Sequence, residues 1–188
     1  KTVAERNGLY ADFSPKPLRH QPGNGFHINI SVKGGNCEDP LSHMIAGILA
    51  HISELTVFLN PTVASYERFG GPKAPEYISW SNQNRSQLIR VPAAVDAYRR
   101  AELRSPDPTT NPYLAFALLI YAGLDGIQQK LPLPAPTDLN LFTASADILA
   151  GLQRLPLTLR EAATLAANSS FVSQYLPKTI VQTYYNQR

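Results

Sequence analysis

The sequence predicts an α+β fold, one sheet backed by helices. Three observations carry this. Apolar and polar residues alternate over 26–32 and again over 100–104; apolar residues recur at helical spacing over 41–59; and Pro and Gly punctuate the joints. Strands come first and helices later, with helices between some of the strands, which is the α+β order.

The first strand is expected at Phe26–Val32. Phe26, Ile28, Ile30 and Val32 point one way, and His27, Asn29 and Ser31 the other. Leu41–Leu59 reads as a helix, with Pro40 in its first turn and Leu41, Met44, Ile45, Ile48, Ile52 and Leu55 on one face. Asn60-Pro61 ends it. Glu76–Ser81 and Gln87–Val91 read as short strands around a polar turn at Asn82–Asn84. In Arg100–Arg104, Arg100, Glu102 and Arg104 share one face, and Ala101 and Leu103 the other. Asn111 as N-cap and Pro112 at the first helical position open a helix expected to stop near Leu124, before Asp125-Gly126. Leu131–Pro136 reads as a linker or surface loop. Thr158-x-x-Glu161 is a capping box for another helix, and a last helical segment is expected after Pro177.

Composition narrows the function. The chain has 188 residues, of which 16% are charged, against about 25% in an average soluble domain. So low a fraction suggests surface covered by a larger assembly or by further chain. A net charge of +3 without a basic run interleaved with aromatics gives no sign of nucleic-acid binding. The single cysteine, Cys37, excludes an internal disulfide framework and fits a reducing, cytoplasmic setting. The apolar stretches 44–59 and 113–124 are interrupted or short, so no membrane span is expected. The opening at Lys1 reads as a fragment or an excised domain.

The polar strand faces hold the chemistry. One offers His27, Asn29 and Ser31; the other offers Arg100, Glu102 and Arg104. A Glu between two Arg on one face is either a structural ion-pair ladder or an anion site, with guanidinium groups for phosphate or carboxylate and His and Glu for a hard cation. Arg85 and Arg90 belong to one turn-and-strand unit, and Arg68 lies in a glycine-containing loop. Five arginines with little lysine suit a polyphosphate, a carboxylate and a divalent ion. The turn Pro22-Gly23-Asn24-Gly25 reads as a tight entry to a strand and lacks the Lys-Ser/Thr of a phosphate-binding P-loop. His43 and His51 are read as surface or packing residues, and His20 as a loop residue without a role.

Four ordered stretches, Pro22–Ser31, Asn60–Arg68, Ser81–Pro92 and Arg100–Leu114, resemble successive motifs of the bacterial-type glutamine synthetase family, and Phe13–Pro17 resembles the segment before them. The resemblance implies that the chain is the C-terminal portion of that family's catalytic domain: a largely antiparallel curved sheet, a partial barrel, backed by helices and followed by a helical C-terminal region. An N-terminal β-grasp domain and the first part of the catalytic domain, with most metal-binding glutamates, would be absent. It implies an ATP-dependent ligase forming an amide from glutamate and ammonia through a γ-glutamyl phosphate, with ATP and Mg²⁺ or Mn²⁺, in a homo-oligomer. By resemblance, His27 and Glu102 would hold the metal. Asn29, Ser31, Arg85, Arg90 and Arg100 would hold ATP. Gly23, His27, Arg68, Arg85 and Arg104 would hold the substrate, and Arg85 would serve catalysis.

Three positions depart from the family pattern: Pro22 replaces a substrate-binding Asn, Lys73 stands where the flap carries a proton-accepting Glu, and Ala97 replaces a Lys. Glu76 is a possible stand-in for the flap Glu. A ligase using a different amine and a non-catalytic family member therefore stay open beside the ammonia ligase.

Overall fold

The computed structural model describes residues 1–33, 37–94 and 98–186. The elements in chain order are α1 (Thr2–Arg6), β1 (Ile28–Ile30), α2 (Pro40–Leu59), α3 (Val63–Tyr66), β2 (Trp80–Ser81), β3 (Ile89–Arg90), β4 (Ala101–Leu103), α4 (Pro112–Gln129), α5 (Ala146–Ala150), α6 (Leu159–Ala167), α7 (Ser170–Tyr175) and α8 (Lys178–Tyr185). The expected α+β class holds. The strands form one open sheet in the order β1-β4-β3-β2.

Each strand is shorter than its alternation suggested, because pairing ends where the neighbouring strand leaves. Ile28–Ile30 pair antiparallel with Ala101–Leu103, and Ile89–Arg90 pair antiparallel with Glu102–Leu103. β2 and β3, expected on either side of a simple polar turn, run parallel. Side chains fold the intervening segment back. Ser81 Oγ accepts the Gln83 and Asn84 N–H groups, Asn84 Oδ1 accepts Ser86 N–H, and Gln87 Nε2 donates to Thr137 and Leu139 carbonyls at 2.6 and 2.7 Å. Satisfied locally, the loop returns the chain in its original direction.

Ile28, Ile89, Ala101 and Leu103 cover the inner face of the sheet and pack with α2. That helix, with thirteen buried residues, is the centre of the core. By length and composition it could cross a membrane, but 67% of its apolar stretch is buried within this protein. Packing against α4 and α6 accounts for that apolarity.

α4 begins as expected, Asn111 Oδ1 accepting the Tyr113 and Leu114 N–H groups. It does not stop at Leu124. Gly126 is a packing residue rather than a terminator: a methyl group on it would lie 2.1 Å from the His43 carbonyl oxygen, and one on Gly47 would lie 2.1 Å from that of Ala122. The two backbones touch there, and α4 continues to Gln129, ending at Lys130 in the left-handed region (φ 51°). At α6, Thr158 Oγ1 accepts the Glu161 N–H, but the Glu161 carboxylate takes the N–H of Leu157 rather than that of Thr158. The segment after Pro177 is helical as expected. The short helices α1, α3, α5 and α7 have no counterpart in the sequence reading.

Pro134–Leu139 covers the outer side of β2, with Thr137 N–H donating to the Trp80 carbonyl at 2.8 Å. The opposite edge of the sheet differs. Among the described residues β1 has one strand neighbour, β4. Beside it runs an apolar groove lined by Phe26, Ile28, Ile30, Phe116, Leu119 and Ile120.

Candidate functional site

Register builds the site. Asn29 stands opposite Glu102, and Glu102 opposite Arg90, so one row of three strands presents Asn, Glu and Arg on the face turned away from the core. Two residues along, His27 and Arg104 join the same face. Glu102 is the hub: Oε1 accepts from Arg104 Nη1 at 3.1 Å and lies 3.1 Å from His27 Nδ1, while Oε2 accepts from Arg90 Nη1 at 3.3 Å. Arg100 Nε donates to Asn29 Oδ1 at 3.0 Å, which closes the row on the β1 side. The polar faces expected on two separate strands are thus one cluster.

Burial works to raise the pKa of Glu102, but Arg104, His27 and Arg90 outweigh it and hold the carboxyl below its ordinary value. For His27, burial and the nearby Arg104 lower the pKa, against the opposing pull of Glu102, so the imidazole is neutral at pH 7. A neutral imidazole is the form that ligates metal. Burial also pulls the Arg104 guanidinium below its ordinary value, with Glu102 pushing back.

Arg68 approaches the cluster from below. Its side chain is 3% exposed. Nη1 donates to the Ser105 carbonyl at 3.0 Å and lies 3.8 Å from Asp107 Oδ2. Gly23 and Gly25 cover it. A methyl group on Gly23 would fall 2.7 Å from Arg68 Cγ; one on Gly25 would fall 3.3 Å from Arg68 Nη2 and 3.1 Å from His27 Nε2. The turn therefore needs glycine for close approach, and it brings His27 and Arg68 together. Buried atoms without a hydrogen-bond partner among the described residues include Nε of Arg68 and Nε of Arg90. Unpaired buried donors of this kind suit an anionic ligand.

The remaining predicted residues are less engaged. Arg85 contributes its carbonyl, which accepts from Arg104 Nε at 3.1 Å, while its side chain is exposed. Ser31 is exposed just past β1 and has no side-chain hydrogen bond to the cluster among the described residues. Lys73 is exposed at the tip of a turn in the left-handed region (φ 69°) and is not brought to the cluster. Glu76, three residues on, is held by Arg154 Nε at 3.3 Å, and Arg154 also donates to the Tyr77 hydroxyl at 2.9 Å. Ala97 lies outside the described residues. Among the described residues no third His, Cys, Asp or Glu joins His27 and Glu102 to complete a metal-binding group.

Sequence reasoning gave no role to Asn60, Asp107 or Arg154. Asn60 and Asp107 stood inside the quoted motifs, where the available signal was a proline after Asn60 and prolines on both sides of Asp107. Nothing near Arg154 pointed to Glu76.

The whole chain, residues 1–188, matches the family described as glutamine synthetase, catalytic domain. It is 43% identical to the glutamine synthetase of Methanosarcina mazei, over 98% of this chain and 44% of that protein. It is 48% identical to the glutamine synthetase of Pyrococcus furiosus, over 86% of this chain and 40% of that protein. Among solved structures, a GmaS/ADP complex superposes with a TM-score of 0.84 at 31% identity, over 98% of this chain and 46% of that one. The chain spans under half the length of the curated relatives it matches.

Proposed function

The chain belongs to the glutamine synthetase family, and from that premise we propose that it forms part of an ATP-dependent ligase joining glutamate to ammonia through a γ-glutamyl phosphate. The observation that carries this reading is the charge layout on one sheet face. Arg90, Arg100 and Arg104 surround Glu102 and His27, and the buried Nε of Arg90 awaits an acceptor. Phosphoryl transfer asks little of the protein beyond positioning and charge neutralisation, which such a face supplies.

His27 and Glu102 fit as one corner of a magnesium or manganese site. The two side chains, 3.1 Å apart, would hold the ion together through an imidazole nitrogen and a carboxylate oxygen. The remaining donors would come from outside this chain and from phosphate. When bound, the ion would neutralise charge on the transferred phosphoryl group. The protein residues do the rest. Arg90 and Arg100 orient the phosphates, Arg68 and the Gly23–Gly25 turn take the glutamate carboxylate, and Arg104, braced on the Arg85 carbonyl and Glu102, holds the cationic wall between the two substrates.

A second reading, a ligase using a different amine, is favoured by one specific observation. Among the described residues no free carboxylate stands at the flap: Lys73 occupies the turn tip, and Glu76 is engaged by Arg154. Ammonium capture needs a carboxylate to attract the cation and take its proton. The test is ATP-dependent phosphate release by the full-length protein with glutamate and a panel of amines including ammonium. Release with ammonium selects the ammonia ligase, and release with a larger amine alone selects the second reading. No glutamate-dependent release with any amine removes both.

A further inference from the structure

Among the described residues Arg68 is a cation without a direct hydrogen bond to a carboxylate. Burial pulls its guanidinium below its ordinary value, and the Asp107 charge pushes back across 3.8 Å. Asp107 itself is fully buried (0% exposed). A carboxylate so placed requires a full set of donors, and neutral groups provide them. Oδ2 accepts from Asn60 Nδ2 at 3.0 Å, and Oδ1 accepts from Thr109 N–H at 2.9 Å and from Thr109 Oγ1 at 2.5 Å. Asn60 Nδ2 also donates to the Ser105 carbonyl at 2.9 Å, the same oxygen that receives Arg68 Nη1. Asn60, Ser105, Asp107 and Arg68 are therefore one buried unit, anchored on Asn60, the residue that caps the C-terminus of the core helix α2.

This unit leaves the guanidinium half used. Nη1 is taken by the Ser105 carbonyl and faces Asp107. The other edge, formed by Nε and Nη2, lies under a turn whose glycines bring no side chain to it, and Nε has no partner among the described residues. That edge is a side-on fork matched to a carboxylate. Had Asp107 taken it, that side-on pair of donors would be lost to a ligand. Asp107 instead balances the charge from the opposite side.

We infer that Asp107, held by Asn60 and Thr109, is a positioning residue for glutamate binding: it fixes Arg68 from behind so that the Nε–Nη2 edge faces the substrate carboxylate beside His27. This rests on the reading of Arg68 as the substrate-binding arginine.

The experiment uses the full-length protein and four variants: Asp107→Asn, Thr109→Val, Arg68→Lys and the double variant Asp107→Asn with Arg68→Lys. In Asp107→Asn the glutamate KM is expected to rise about tenfold, with kcat within about twofold and the ATP KM unchanged. Thr109→Val, at an exposed position, should raise the glutamate KM about threefold and serves if Asp107→Asn fails to fold. The double variant should be no worse than Arg68→Lys alone, since both changes disable one contact. A crystal structure of Asp107→Asn, or of Thr109→Val, should show the Arg68 guanidinium displaced. Additive effects, an equal rise in both KM values, or an unmoved guanidinium with unchanged kinetics overturns the inference. A displaced guanidinium with normal glutamate KM also overturns it. If the unsubstituted protein shows no glutamate-dependent turnover, the proposed function fails on its own, and the position of Arg68 in the variant still decides whether Asp107 holds it.

Discussion

At the centre of the sheet face, Glu102 divides two oxygens among His27, Arg90 and Arg104. An ion pair built this way is poor evidence of stability, because desolvation offsets much of the attraction; its value lies in presenting charges to a ligand. In the full-length protein, Arg90→Ala should weaken ATP binding, and Glu102→Ala should weaken it only when magnesium is present. Each loses roughly 1.5–3 kcal/mol, as for a hydrogen bond to a charged group. Calorimetric titration with and without magnesium checks both, and unchanged affinity in two folded variants would make these residues structural. The parts of the cluster were legible in the sequence because strand side chains alternate, so His27 and Asn29 declared one polar face and Arg100, Glu102 and Arg104 another before any pairing was known. Asn60 and Asp107 were not legible, since their contact spans 47 residues and no periodicity links the two. Arg154 and Tyr77, separated by 77 residues, were hidden for the same reason.

Among the elements, the pairing of α2 with α4 shows where local rules yield to packing. Gly126 resembled a stop signal, but its lack of a side chain lets two helix backbones meet. Gly126→Ala should therefore destabilise the protein by about 1–3 kcal/mol through overpacking, although alanine is the better helix former. Thermal unfolding measures it, and a rise in midpoint would contradict the contact. A second joint lies further along the same helix pair. His51 Nε2 and Asp125 Oδ2 are 3.0 Å apart, Nδ1 lies 3.3 Å from Glu54, Ser169 hydrogen-bonds the Glu54 carboxylate, and the ring stacks on Phe171. His51, read as a surface or packing residue, thus ties α2 to α4 and to the start of α7. The hydrogen bond from His51 leads the interactions that hold Asp125 below its ordinary carboxyl value. A depressed carboxylate contributes stability above its unfolded pKa, and that contribution is lost as pH falls through the lower, folded value. Asp125→Asn should accordingly cost about 1 kcal/mol or less at pH 7, where the pair is partly exposed, and nothing at pH 2. Equal losses at both pH values would refute the electrostatic account.

For the molecule as a whole, the site is open on one side. The two proposed metal donors and a set of arginines would not make a complete phosphoryl-transfer centre, so on the proposed function this chain purified alone should release no phosphate from ATP above background, and robust turnover would show that the centre is complete within it. The same incompleteness reaches the backbone. β2 is capped by the segment ending at Leu139, whereas among the described residues β1 offers one uncovered row of peptide groups beside Phe116 and Ile120, the latter 55% exposed. An uncovered row of that kind recruits another strand. Because only one side is uncovered, two copies meeting edge to edge would consume both rows and leave nothing to extend, a closed two-fold pair rather than a growing fibre. Sedimentation of the isolated chain should therefore show a monomer–dimer equilibrium that stops at two, shifted toward monomer by Ile120→Lys; species larger than a dimer would mean that a second sticky surface exists.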